Sequence, residues 1–154
     1  MGNKHILTVP GRYDQIRKVV TFVAEGAGEA GLDEDAVFHV ELCCDEACTN
    51  IIEHAYGGEN QGKITVSYEA AADSFTITLQ DNGHSFNPQA IPPPPLPPVQ
   101  PTADLTSEEI IKNLKIGGLG IHFMRKLMDE VHFSFETNGG NTLVMVKKLS
   151  PRGK

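Results

Sequence analysis

Between residues 91 and 101 the chain reads IPPPPLPPVQP, a stretch that holds seven of its ten prolines. No other stretch limits the possible folds so strongly. Each proline lacks an amide donor and holds φ near about −65°, so the run is barred from sheet ladders and helix interiors and tends toward polyproline II. Alone, it would read as a linker or as a ligand for an aromatic-lined groove. Here it falls between two glycine-bearing motifs, at 81–83 and 117–120, and the patterns on either side belong to one domain. It therefore reads as a loop set into that domain.

Before the run, residues 6–9 form a short apolar strand stopped by Pro10-Gly11. Ile16, Val19, Val20, Val23 and Ala27 then recur at helical spacing, and Gly31 closes that helix. Asp33 is a good N-cap for a second helix reaching about Tyr56, before Gly57-Gly58. Its buried side would carry Val37, Val40, Cys44, Ala47, Cys48, Ile51 and Ala55. Runs 63–69 and 74–80 alternate (Ile64, Val66, Tyr68; Phe75, Ile77, Leu79) around an Ala71-Ala72-Asp73 turn, which marks a sheet covered on one face. After the run, Thr106 with Glu109 resembles a capping box, predicting a short helix near 107–114. Residues 119–130 are helical, with Ile121, Met124, Leu127 and Met128 on one face. Strands at 131–136 and 142–149 flank Asn138-Gly139-Gly140, a hairpin signal. The fold class this predicts is α+β: a two-layer sandwich with a mixed, mainly antiparallel sheet and helices on one face.

Composition narrows the function classes. A chain of 154 residues, 40% hydrophobic, has the size and core of one domain. Its 13 Lys plus Arg against 20 Asp plus Glu give a net charge of −7, which argues against a nucleic-acid-binding surface. No apolar run reaches the ~18 residues of a membrane span, and MGNKHILTVPGRYD has no signal-peptide core. The three cysteines, crowded at Cys43, Cys44 and Cys48, suit reduced thiols better than a disulfide framework, so a cytoplasmic protein is expected. They read as small buried hydrophobes, since no neighbouring set completes a zinc site.

Three short motifs carry the chemistry. In Glu46-Ala47-Cys48-Thr49-Asn50, the glutamate and asparagine are four apart and share a helix face. A carboxylate there can take a proton, and an amide oxygen can ligate Mg²⁺. In Asp81-Asn82-Gly83, an aspartate at a strand end can accept a hydrogen bond from an exocyclic amine, and the glycine lets backbone approach a flat ring. In Gly117-Gly118-Leu119-Gly120, a glycine-rich helix start offers N–H groups and a dipole to phosphate oxygens. Taken singly, each has an ordinary reading: a solvated polar pair, a strand-end turn, a loose loop. His54 and His84 likewise read as surface histidines.

Taken together, the order and spacing of the three motifs match the GHKL ATPase superfamily of gyrase, the heat-shock chaperone, histidine kinases and MutL. DEACTNIIEHAYGG, DNGHSFNP and GGLGIHFMRKLMDEV resemble the anti-sigma factor serine kinases of the RsbW and SpoIIAB type, and the likeness covers nearly the whole chain. It implies a Bergerat-type ATP-binding fold over 1–154 with an ATP lid at about 86–116, and ATP with Mg²⁺ as cofactors. Asn50 would be the Mg²⁺ ligand and Glu46 the general base. Asp81 would read the adenine amine with Gly83 beneath the ring. Gly117, Gly118, Leu119 and Gly120 would border the phosphates at the lid's far hinge, and Thr142 would lie near adenine. Arg17 matches a basic position that pairs with the Glu46 site. The lid departs from the family pattern in its prolines and in having no Arg or Lys between Asp81 and Ile111, which leaves Lys112 or Lys115 to reach the γ-phosphate.

The activity implied is that of a protein serine/threonine kinase acting as an anti-sigma factor. Its partners would be a small anti-sigma-antagonist protein and a sigma factor, with no direct nucleic acid and no membrane; because the family often forms dimers, a homodimer is a further expectation. Two rivals are a nucleotide-gated binding regulator without kinase activity and a histidine-kinase-like catalytic unit. A phosphoacceptor helix pair would normally precede the latter, whereas here the first strand begins almost at once.

Overall fold

The computed structural model describes residues 4–84, 120–136 and 139–149. The proline run, the expected lid and the short helix expected near 107–114 lie outside the described residues. Strand β1 (Lys4–Pro10) leads through a single 3₁₀ turn (Tyr13–Gln15) into helix α1 (Ile16–Ala30), followed by α2 (Glu34–Asn50). A π-helical turn (Ile51–Ala55) extends α2. Next come β2 (Lys63–Ala70), β3 (Ser74–Asp81), α3 (Gly120–Leu127), β4 (Glu130–Phe135) and β5 (Asn141–Lys148). The sheet order is β1-β2-β3-β5-β4, and all four described pairings are antiparallel.

Local chemistry explains the helix limits. Gly31 ends α1 in the left-handed region at φ 106°, which a residue with a Cβ rarely adopts, and its N–H reaches back to the last turn. Two residues on, the Asp33 carboxylate accepts the Ala36 N–H at 2.8 Å and caps α2. The expected helix to about Tyr56 is thus α-helical only to Asn50 and then widens into the π-turn. There Tyr56 N–H bonds the Ile51 carbonyl at 2.9 Å, five residues back.

The apolar faces meet in a single core. Val19, Val23 and Ala27 of α1, Val40, Cys44, Ala47 and Cys48 of α2, and Met124 of α3 close over Ile64, Val66, Phe75, Ile77, Leu79 and Met145 of the sheet. All three cysteines are free and buried, and burial pushes their thiols up. The other face of the sheet carries the opposite parity, pairing Thr78 with Val144 and Gln80 with Thr142. No helix among the described residues is long and apolar enough to cross a membrane.

Tyr68 fills the seam between α1 and the sheet, its ring 4.8 Å from His5, 5.0 Å from Phe22 and 5.3 Å from Phe75. Gly26 faces it so closely that an added Cβ would stand 2.3 Å from the Tyr68 ring. Hemmed in on three sides, the ring has nowhere to go. Gly26→Ala is therefore expected to destabilise the protein by about 1–3 kcal/mol, as overpacked cores do. Urea unfolding measures this, and an unchanged midpoint would refute the packing.

Candidate active site

Glu46 and Asn50 lie one turn apart on α2, both half-buried, on the face left over once Cys43, Cys44, Ala47 and Cys48 have gone into the core. Burial pushes the Glu46 carboxyl up to about 7, with Asp45 and Glu53 adding like charge. Arg17 is exposed on α1. Asn50 stands where α2 becomes the π-turn, and its side chain makes no capping bond to that turn.

A second group gathers around the end of β3. Asp81 is 6% exposed, and burial pushes its carboxyl up. Its Oδ1 accepts two hydrogen bonds, from the Gly83 N–H at 2.8 Å and from Asn141 Nδ2 at 2.9 Å. Oδ2 is buried with no hydrogen-bond partner among the described residues. A buried acceptor left unpaired is costly unless a ligand donor completes it. Gly83 lies against the π-turn: a Cβ there would stand 2.4 Å from the Ala55 carbonyl oxygen, so backbone packs where a side chain would not fit.

The partner of Asp81 on β5 is Asn141. Asp81 pairs with Asn141 and Gln80 with Thr142, so Thr142 sits one position out of phase with the carboxylate. Nothing in the sequence reading had singled out Asn141; its signal was a polar residue at the inward-facing position of a strand. Tyr56 and Glu53 were missed as well. The Tyr56 hydroxyl accepts the Asn82 N–H, and Glu53 adds charge near Glu46. His54 and His84 are exposed, in line with their bland reading.

Gly120 begins α3, while Gly117, Gly118, Leu119 and Lys115 lie outside the described residues. The far end of α3 is tied down. Lys147 Nζ donates to the Leu127 carbonyl, and Asp129 N–H bonds Val146 O at 2.9 Å.

The donor set fits a nucleotide with its magnesium. Oδ2 of Asp81 is an acceptor open to a donor from a ligand. Among the described residues no cluster of three or more His, Cys, Asp or Glu could hold a metal unaided. Mg²⁺ bound through nucleotide phosphates needs only one or two protein ligands, and a single amide such as Asn50 suffices.

Comparison with known proteins agrees. The family model of the histidine kinase-like ATPase domain matches residues 9–147. A serine-protein kinase RsbW of Bacillus licheniformis is 34% identical over 125 residues, covering 80% of this chain and 72% of that protein. The RsbW of Bacillus velezensis is 28% identical, covering 94% of this chain and 84% of its own length. That of Listeria innocua is also 28% identical, covering 99% and 91%. Among solved structures, the RsbU and RsbW domains of a Mycobacterium tuberculosis protein superpose with a TM-score of 0.66 at 17% identity, covering 99% of this chain and 34% of that one. Fold and site thus define a nucleotide-binding domain of the histidine kinase-like ATPase class. Within that class, the chain belongs to the family of RsbW-type serine-protein kinases.

The raised Glu46 carboxyl has a stability consequence. Its folded value, about 7, lies above the ordinary 4.5, so the folded state holds the proton longer than the unfolded one. Stability is then lost as pH rises between those values, and the penalty is complete above about pH 7. Glu46→Gln removes the charge. At about 1.4 kcal/mol per pH unit, the variant should exceed the wild type by on the order of 3 kcal/mol at pH 8 and by nothing at pH 4. Denaturant titrations at both pH values measure the gap, and an equal gap at both would contradict the burial of Glu46.

Proposed function

We propose that this kinase binds Mg-ATP between α2 and the end of β3 and phosphorylates a serine on a small anti-sigma-antagonist protein. By holding a sigma factor in the alternative state, it would act as an anti-sigma factor. The observation that carries this reading is the unpaired, buried Asp81 Oδ2 in the same domain as the half-buried Glu46–Asn50 pair.

Asp81 would accept the adenine amine at Oδ2, and Gly83, whose Cβ direction is taken up by the Ala55 carbonyl, would present its backbone to the ring. Asn50 would hold the magnesium through its side-chain oxygen. When bound, Mg-ATP supplies the γ-phosphoryl group with much of its charge already neutralised. Glu46 takes the proton from the attacking serine hydroxyl, and a carboxyl near 7 is well matched to that task at neutral pH. By the family likeness, Gly118 and Gly120 would border the phosphates, Lys115 would serve the γ-phosphate, and the segment at about 86–116 would be the lid of a single domain spanning 1–154. Arg17, exposed on the adjoining helix, would pair with the Glu46 site, as the family likeness implies. The protein works in the cytoplasm, where its buried thiols stay reduced.

Incubation with labelled ATP and an antagonist domain tests the reading. Acid-stable phosphoserine is expected, and binding of the antagonist without label would make the chain a nucleotide-gated binding module instead. Glu46→Gln is expected to lower transfer by about 10²–10⁴-fold while keeping nucleotide affinity, the range for loss of a general base. Because the base acts deprotonated, the wild-type rate should climb as pH rises to about 7 and level off above it. A flat profile, or undiminished transfer by Glu46→Gln, would refute the role. Asn50→Ala should abolish the Mg²⁺ dependence of nucleotide binding, and retained dependence would exclude it as the ligand.

A further inference from the structure

Tyr56 comes directly after the π-turn, and its hydroxyl is shared by two backbone groups from separate parts of the sheet. It donates to the Lys63 carbonyl at the start of β2 and accepts the Asn82 N–H at 3.1 Å. The ring fits because glycines surround it. A Cβ on Gly62 would lie 2.4 Å from Tyr56 Cε1, and one on Gly83 would lie 2.8 Å from Cδ1. The residue before it, Ala55, accepts the His84 N–H at 2.7 Å. From the other side, Gly140 N–H donates to the Gly83 carbonyl at 2.7 Å and Asn141 Nδ2 to the His84 carbonyl at 2.9 Å.

Segment 81–84 is thus tied at each residue, to the helix side by Tyr56 and Ala55 and to the β4–β5 hairpin side by Gly140 and Asn141. The Asn82 N–H belongs to the peptide that leaves Asp81. Peptide planarity means that fixing this N–H fixes the backbone from which the Asp81 side chain springs. The Tyr56 hydroxyl is its side-chain anchor.

We infer that Tyr56 is a positioning residue for nucleotide specificity, its hydroxyl holding the Asp81 carboxylate so that Oδ2 faces a purine bearing a 6-amino rather than a 6-oxo group. The inference rests on Asp81 reading the base. An amine donates to the unpaired oxygen, whereas a 6-oxo group would oppose acceptor to acceptor in a buried place, a mismatch that discriminates strongly. Without the hydroxyl the carboxylate can turn, and the mismatch softens.

Calorimetric titration of wild type and Tyr56→Phe with ATP and with inosine triphosphate, both with Mg²⁺, tests this. Wild type is expected to prefer ATP by at least about tenfold. Tyr56→Phe is expected to shrink that preference by about three- to tenfold, the scale of one lost hydrogen bond. A purely structural tyrosine would weaken both nucleotides equally, so an unchanged ratio overturns the inference. Failure of the wild type to discriminate would instead refute the reading of Asp81, and the inference with it. Should Tyr56→Phe not fold, Gly83→Ala serves. Its methyl would press on the Ala55 carbonyl and the Tyr56 ring and lift the segment with the hydroxyl intact. Its ATP preference must narrow in the same way, and an undiminished preference overturns the proposal.

Discussion

A buried carboxylate with one oxygen satisfied and the other left open is the constraint around which the rest is arranged. Oδ1 of Asp81 is held by a backbone N–H and a side-chain amide, while Oδ2 has no partner. Folding alone gains nothing from such an arrangement, because burial disfavours the charge and the open oxygen forgoes a bond to water. It makes sense as a site organised before its ligand arrives, with the cost carried by the well-packed core beneath. The antiparallel register of β3 and β5 supplies Asn141 opposite Asp81, and the π-turn supplies the surface against which Gly83 lies.

Helix α2 joins that subsite to the catalytic one. Its inward stripe is core, its outward face carries Glu46 and Asn50, and its π-helical extension ends in the groups that pin the loop after β3. A π-turn adds one residue to a helical turn and so shifts the face presented beyond it. Here that shift lets Ala55 and Tyr56 reach the 82–84 segment instead of continuing the α-helical ladder. The loop after β3 and the Glu46–Asn50 pair are therefore parts of one continuous structure. Glu46 would show the same exchange of stability for function as Asp81 if it acts as the proposed base, since a carboxyl raised to about 7 weakens the fold at neutral pH.

Much of this was legible in the sequence. The alternation of Phe75, Ile77 and Leu79 and the helical spacing from Ile16 to Ala27 report burial directly, and all are buried as the pattern requires except Val20, which packs at the edge of the core. Asp33 and Gly31 carry their own local signals as cap and stop. Less legible was whatever depends on register or on a single irregular turn. Thr142 and Asn141 are neighbours in sequence and face opposite sides of the sheet, so a one-residue difference in hairpin geometry decides which meets Asp81. The π-turn has no compositional mark, since 51–55 continues the apolar helical pattern, and the role of Tyr56 follows from that turn. The place given to Arg17 rests on family likeness, since an exposed residue on α1 carries no burial signal of its own.

The direct test of the central claim is calorimetry of Mg-ATP binding to the wild type and to Asp81→Asn, a near-isosteric change that turns the open acceptor into an amide. Loss of a hydrogen bond to a charged group predicts a fall in affinity of about 10- to 100-fold with the melting transition retained. An Asp81→Asn protein that binds ATP as tightly as the wild type would contradict the account.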